Sequence, residues 1–313
     1  PNLPPPLGGG PLQPLVDGVL WAAAGFDLSA KPSVEFVLQT KDEAAAKQVE
    51  VVLERGVALL KSNPEIRQVP IVGKLLDEHH PKRVGDRFVL ALDAAAIDAM
   101  LVPALSKARE KAAIAQSMNN LKQIALAMHI HHDAQKAFPP QGTVDKNGRP
   151  LLSWRVLILP YIEQKGLYDQ FHLDEPWDSE HNKKLIPQIP VVYLSALTKL
   201  KPEDGLTTYV VPFGPKAFFN GKKTGSFRDI PDGTSNTIMA FDVDDSKAVT
   251  WTRPDDYPVA PRQAFPGLVR PGVGKILAAF FDGSVRTLSA RTPEATLWLY
   301  VCPNDGMPIP NEE

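Results

Sequence analysis

The stretch LVPALSKAREKAAIAQSMNNLKQIALAMHIHHDAQ, residues 101–135, decides how the rest of the chain is read. Leu105, Ala108, Ala112, Ala115, Met118, Leu121, Ala125 and Met128 recur every three or four residues, the spacing that aligns side chains on one helical face. Lys107, Arg109, Glu110, Lys111 and Lys122 fall on the opposite face, so the pattern predicts an amphipathic helix with one stripe for packing. Upstream, Asp93 is placed to N-cap a helix reaching Pro103, and the helical pattern continues to about Gln135. About 33 residues at 1.5 Å each span roughly 50 Å, which makes residues 99–137 the longest element and a spine for the rest.

On the N-terminal side, residues 1–14, PNLPPPLGGGPLQP, form a Pro/Gly-rich arm that can bury little. Pro4, Pro5, Pro6 and Leu7 are its candidate interface, docking on a neighbouring subunit or on the chain's own domain. Residues 15–98 read as a small α/β domain. Val34, Phe36 and Leu38 alternate as in a half-buried strand. Thr40 with Glu43 gives a capping-box signal for a helix whose apolar face is Val49, Val52, Leu53, Val57 and Leu60, and Phe88, Leu90 and Leu92 predict a second strand.

Beyond Phe138-Pro139-Pro140 the chain becomes short apolar runs punctuated by turn residues, so 138–313 reads as a β-rich, loop-heavy C-terminal domain. Asp145–Gly148, Asn220-Gly221, Asp232-Gly233 and Asp282-Gly283 are its clearest turns, and the last joins Ile276–Phe281 to Val285–Leu288 as a hairpin. The fold class expected is therefore α+β.

Charge and cysteine content narrow the function classes. Thirty-four basic against 36 acidic residues leave a net charge of −2, which supplies no field for neutralising phosphates and argues against a nucleic-acid partner. The single cysteine, Cys302, excludes an internal disulfide framework and any multi-cysteine metal site. No apolar run approaches the roughly 18–20 residues that a membrane span needs. The chain opens on Pro1, which leaves processing and trimming both open.

Several stretches together resemble known families. LVPALSKAREKA, residues 101–112, resembles the region following the membrane-embedded start of type IV pilin and type II secretion pseudopilin helices. MNNLKQIALAMHIHHDAQKAFPP, SWRVLILPYIEQKGLYDQF, EPWDSEHN, DGTSNTI and FFDGSVRTLS occur in the order found in a family abundant in planctomycete bacteria. That family is filed as domain of unknown function 1559 and also labelled solute-binding family 10; the resemblance covers about residues 100–300. It implies a pilin-like protein located outside the cytoplasm. Members usually open with an apolar prepilin-type half-helix, a position filled here by the α/β unit. Relatives commonly carry two cysteines at positions matching Ser117 and Ser195, and their joint absence here is what the resemblance implies if the two form a disulfide in relatives. The family's C-terminal histidine is replaced by Gly272.

Three groups of side chains are candidates for chemistry. Asp232, Asp242, Asp244, Asp245, Asp255 and Asp256 form the densest carboxylate cluster and could supply the oxygens calcium takes, as pseudopilin domains do; solvated turn residues are the competing reading. Trp154, Tyr161, Tyr168 and Trp177, with Phe171, could line a sugar or peptide groove, against the commoner role of core packing. His129, His131 and His132 lie at the helix end, where His129 and His132 share a side but lack the further ligands a zinc site needs. There is no phosphate-binding Gly-rich loop or nucleophile elbow, and Ser235 in Gly233-Thr234-Ser235-Asn236 lacks the flanking glycines of the latter.

The reading is a non-enzymatic extracytoplasmic structural or interaction protein that self-associates into a homo-oligomer or filament. The alternative is an extracytoplasmic module binding carbohydrate or peptide with calcium assistance. A hydrolase built from residues distant in sequence is the third.

Overall fold

The computed structural model describes residues 13–27, 32–62, 77, 79–221, 225–270 and 272–310. The candidate interface Pro4, Pro5, Pro6 and Leu7 lies outside the described residues. The chain is α+β and packs as two compact units that divide between Ala108 and Arg109.

The first unit runs α1 (Gln13–Gly18), β1 (Val19–Asp27), β2 (Ser33–Thr40), α2 (Glu43–Ser62), β3 (Lys82–Val84) and β4 (Arg87–Leu92). Its strands form an antiparallel sheet in the order β1-β2-β4-β3, with Phe36 opposite Leu90 and Leu38 opposite Phe88. Ala46 and Val49 of α2 bury against Phe88 and Leu38, while Phe36 on the same face of β2 stays exposed. The capping box expected from Thr40 and Glu43 is not formed. Asp42 caps α2 instead, its Oδ1 accepting from the Ala45 N–H at 2.8 Å. Thr40 ends β2, and its buried hydroxyl donates to the Asp86 carbonyl at 2.5 Å, which ties β2 to the turn before β4.

Helix α3 (Ala94–Gln135) continues through Pro103. Asp93 caps it as expected, Oδ1 accepting from the Ala96 N–H at 2.8 Å. Only half of the predicted stripe is covered. Leu105, Ala108, Ala112 and Ala115 are exposed, whereas Leu121, Ala125 and Met128 are fully buried.

In the second unit, β5 (Gly142–Val144) and β6 (Pro150–Ser153) form a hairpin. Asp145 Oδ1 accepts from the Asn147 and Arg149 N–H groups at 2.8 Å, and Gly148 takes the positive φ that closes the turn. There follow β7 (Leu206–Thr207), β8 (Tyr209–Val210), β9 (Pro212–Phe213), β10 (Ile238–Asp242), β11 (Val249–Thr250), β12 (Tyr257–Pro258), β13 (Lys275–Phe280), β14 (Val285–Ser289) and α4 (Glu294–Val301). The central antiparallel sheet has the order β14-β13-β10-β8. Its residues sort by twos. Leu277, Ala279 and Phe281 pack in the core containing Leu121, Ile124 and Met128 of α3, while Ile276, Ala278 and Phe280 pack in the core containing Leu297, Tyr300 and Val301 of α4. A sheet buried on both faces explains the unbroken apolar run of β13.

Candidate functional site

The second unit encloses two charged centres, each built from residues far apart in sequence. At the end of β10, Asp242 is buried and accepts four hydrogen bonds. Oδ2 takes the Ser117 hydroxyl at 2.5 Å and the Ser195 hydroxyl at 2.6 Å. Oδ1 takes Thr208 Oγ1 at 2.7 Å and Arg270 Nη2 at 2.9 Å. A carboxylate offers about four lone-pair positions, so this one is saturated by the protein itself.

Arg270 extends the network. Its Nη1 donates to Asp245 Oδ1 at 2.8 Å and to the Leu197 carbonyl at 3.2 Å. Asp245 also accepts from Thr198 Oγ1 at 2.7 Å and the Lys199 N–H at 2.9 Å. Burial by itself would raise the Asp245 pKa, but the Lys199 N–H, Thr198 and Arg270 together hold it below the usual carboxylate range. Burial likewise acts to weaken the Arg270 charge, and the two carboxylates outweigh it. Tyr209 donates to Ser117 Oγ at 3.0 Å; burial first, and then the Asp242 charge, push its hydroxyl pKa upward. Asn120, one turn along α3, donates to the Leu194 carbonyl at 3.0 Å. The network thus fastens α3 to the 194–199 segment and to the central sheet.

The second centre is the fully buried pair Arg155–Asp256, with Nη2 2.6 Å from Oδ1. The same oxygen accepts from the Val211 N–H at 3.0 Å and Trp154 Nε1 at 3.2 Å, while Arg155 Nε and Nη2 both reach the Tyr209 carbonyl. Burial pushes the Asp256 pKa up, against the opposing pull of Arg155 and the other donors. Asp256 Oδ2 has no hydrogen-bond partner among the described residues. A charge pair this deep fixes chain geometry more than it stabilises, because desolvation offsets much of the attraction.

The six aspartates read from the sequence do not converge. Asp242 and Asp245 share Arg270, and Asp256 belongs to the other centre. Asp244 caps Ser246, Asp232 accepts from the Asp305 and Gly306 N–H groups, and Asp255 makes an exposed pair with Arg253. Among the described residues, no group of three or more His, Cys, Asp or Glu is placed to hold a metal ion. Asp242 ends β10, Asp245 opens a single helical turn and Asp256 immediately precedes β12, so closeness in sequence does not bring the six to one point.

The aromatic candidates separate too. Trp154 is fully buried in the core, with its ring under the Arg155 guanidinium, so it cannot line a groove. Tyr161, Tyr168 and Trp177 are half-buried and pack against the same core; Tyr161 meets the edge of His131, and Arg253 lies over Trp177. His129 and His132 do share a side of α3, where both rings pack on Phe138 and Phe227. A cleft of about 380 Å³ in this unit is lined by other residues, among them Pro139, Pro140, Gly142, Phe218, Phe219 and Pro254.

Sequence reasoning missed the roles of Arg155, Arg270 and Thr208. Arg155 had a visible signal: it is the lone charge within the apolar run SWRVLILP, where burial requires a partner. Arg270 and Thr208 lie in polar loop sequence that gives none.

These features define an α+β protein whose C-terminal unit wraps a β-rich body around one end of a long helix and locks it with internal ion pairs. Residues 106–193 match the family SBP_bac_10, described as a protein of unknown function (DUF1559), the family its motifs resemble. The matched segment holds Ser117, Trp154 and Arg155 and ends before Ser195. No curated protein and no solved structure matches the chain. Among the described residues no helix is long and apolar enough to cross a membrane.

Proposed function

We propose that this protein is a non-enzymatic structural or interaction protein that works outside the cytoplasm by associating with copies of itself. One observation carries the reading: the first unit leaves large apolar side chains of β1 and β2 uncovered, with Leu20 57%, Trp21 50%, Phe26 69% and Phe36 44% exposed, and Phe26 and Phe36 on one face of the sheet. Beside them is a groove of about 420 Å³ lined by Ala22, Ala24, Phe36, Leu38, Leu53 and Leu90. An apolar surface of this kind on a folded domain marks an interaction site. The second unit supports a scaffold role, since its buried charged groups are spent on one another. The pilin-like resemblance of the long helix supports the location.

Light scattering and negative-stain electron microscopy of the full chain, with and without calcium, test the reading. Concentration-dependent oligomers, rings or filaments are expected. Monodisperse monomers at high micromolar concentration in both conditions would overturn it. The proline- and phenylalanine-lined cleft of the second unit favours a second reading, a module binding a small ligand or peptide, which the monomeric outcome would bring forward.

A further inference from the structure

Among the described residues, the two edges of the first unit's sheet are built differently. The β3 edge is three residues long and carries Lys82 and Arg83, the short charged form that discourages strand pairing. The β1 edge is nine residues long, reads VLWAAAGFD, and holds no proline and no charge before Asp27. Eight of those nine residues are exposed and the ninth is half-buried. Its one irregularity is a bulge near Leu20, which leaves Trp21–Asp27 as regular strand.

We infer that β1 is a self-pairing edge: two copies of this protein join antiparallel β1 strands across a two-fold axis lying within Ala22–Ala24, making one continuous sheet. The inference rests on the self-association proposed above and names its surface.

A second copy is the occupant that this sequence suits. Ala22, Ala24 and Phe26 stand opposite Leu38, Phe36 and Val34 of β2, so they share the face on which α2 packs. A two-fold perpendicular to the sheet keeps that face common to both copies, and their apolar grooves become neighbours across the axis. Such an axis passes through a residue that faces itself. The centre of the strand is Ala22-Ala23-Ala24-Gly25, which places no bulk and no charge at the axis. With the axis on Ala23, Trp21 lies across from Gly25, Leu20 across from Phe26 and Asp27 across from Val19. Trp21 then meets a glycine, and the two aspartates stay at opposite ends. Any axis within Ala22–Ala24 keeps these aspartates apart, and direct like-charge pairing is the arrangement that disfavours sheet extension.

The test places cysteine at Ala22, Ala23 and Ala24 in turn, and lysine at Ala23, whose exposed side chain leaves the monomer fold undisturbed. Wild type, with its buried Cys302, is the control for background thiol reactivity. After mild oxidation, one of the three cysteine variants is expected to give a self-linked homodimer by peptide mapping, and Arg83→Cys on the opposite edge is expected to give none. Ala23→Lys is expected to weaken association at least tenfold by analytical ultracentrifugation. If wild type associates, Ala23→Lys associates equally and no position cross-links to itself, the β1 edge is wrong while self-association stands. Weakening by Ala23→Lys without any self-linked position overturns the two-fold. Wild type that stays monomeric overturns both proposals.

Discussion

Ser117 of α3 and Ser195 of the 194–199 segment donate to the same oxygen, Asp242 Oδ2, at 2.5 and 2.6 Å. Their hydroxyls therefore lie no farther apart than two hydrogen bonds laid end to end. These are the two positions where the resemblance implied cysteines in relatives, and in this chain the contact is made through a carboxylate in place of a bond. Arg270 supplies the positive charge that makes a carboxylate tolerable there.

The first prediction follows from that proximity. The double variant Ser117→Cys, Ser195→Cys should oxidise to an intramolecular disulfide, leaving Cys302 as the one free thiol in a titration under denaturant. A disulfide closing a loop this long contributes about 2–4 kcal/mol, so the oxidised form should unfold at higher urea than the reduced form. The reduced form should be less stable than wild type, because Asp242 loses two strong donors. Three free thiols after oxidation would show that the two side chains do not meet.

A second prediction concerns Arg155 and Asp256. Asp256→Leu leaves a guanidinium buried without its counter-charge and should destabilise the second unit by about 3–5 kcal/mol. Replacing both, as Arg155→Met with Asp256→Leu, removes the desolvation cost along with the attraction and should recover most of that loss. Urea unfolding of the two single variants and the double closes the cycle. A loss in the double variant equal to the sum of the two single losses would mean that the pair has no coupling beyond packing.

His131 gives a pH-dependent expectation. Burial lowers its pKa below the ordinary imidazole value, against the hydrogen bond it makes with the Ala137 carbonyl. A base whose folded pKa is depressed contributes stability that is complete above its unfolded pKa and is lost as pH falls through the folded one. Thermal midpoints should therefore decline from pH 7 toward pH 5, and His131→Gln should flatten that decline. An unchanged slope in the variant would assign the decline to other groups.

The sequence made the elements legible and left their partners obscure. The cap at Asp93, the turn at Asp145–Gly148 and the β13–β14 hairpin are local, set by residues within a few positions of each other, and they fold where their chemistry places them. The α3 stripe shows the limit. Its steps average about 3.3 residues, short of the 3.6 of an α-helix, so the stripe drifts around the helix, and Leu105, Ala108 and Ala112 are exposed while Leu121, Ala125 and Met128 are buried. Periodicity reveals a face without saying what covers it. The aspartates failed for a related reason. Asp242, Asp245 and Asp256 look clustered in sequence, but their partners are Arg270 and Arg155, chosen by tertiary packing and invisible to spacing. Ser117 and Ser195 came from resemblance alone, since nothing in their own neighbourhoods marks them as a pair.

Two glycines yield predictions of opposite sign from one kind of change. A Cβ on Gly214 would sit 2.0 Å from the Val259 carbonyl oxygen. Neither strand can retreat easily, because the Val259 N–H is bonded to the Phe213 carbonyl at 2.9 Å and the Gly214 N–H to the Phe219 carbonyl at 3.0 Å. Gly214→Ala should destabilise the second unit by about 1–3 kcal/mol, the range for forced overpacking. Gly56 lies inside α2, and a Cβ there would meet nothing within 4 Å. Gly56→Ala should stabilise the first unit by about 0.5–1 kcal/mol, through the lower backbone entropy of the unfolded chain and the better helix propensity of alanine. Urea unfolding followed by a probe in each unit measures both. A stabilising Gly214→Ala would mean that β9 and β12 are not packed this closely, and a destabilising Gly56→Ala would mean that the Gly56 face of α2 is covered in solution.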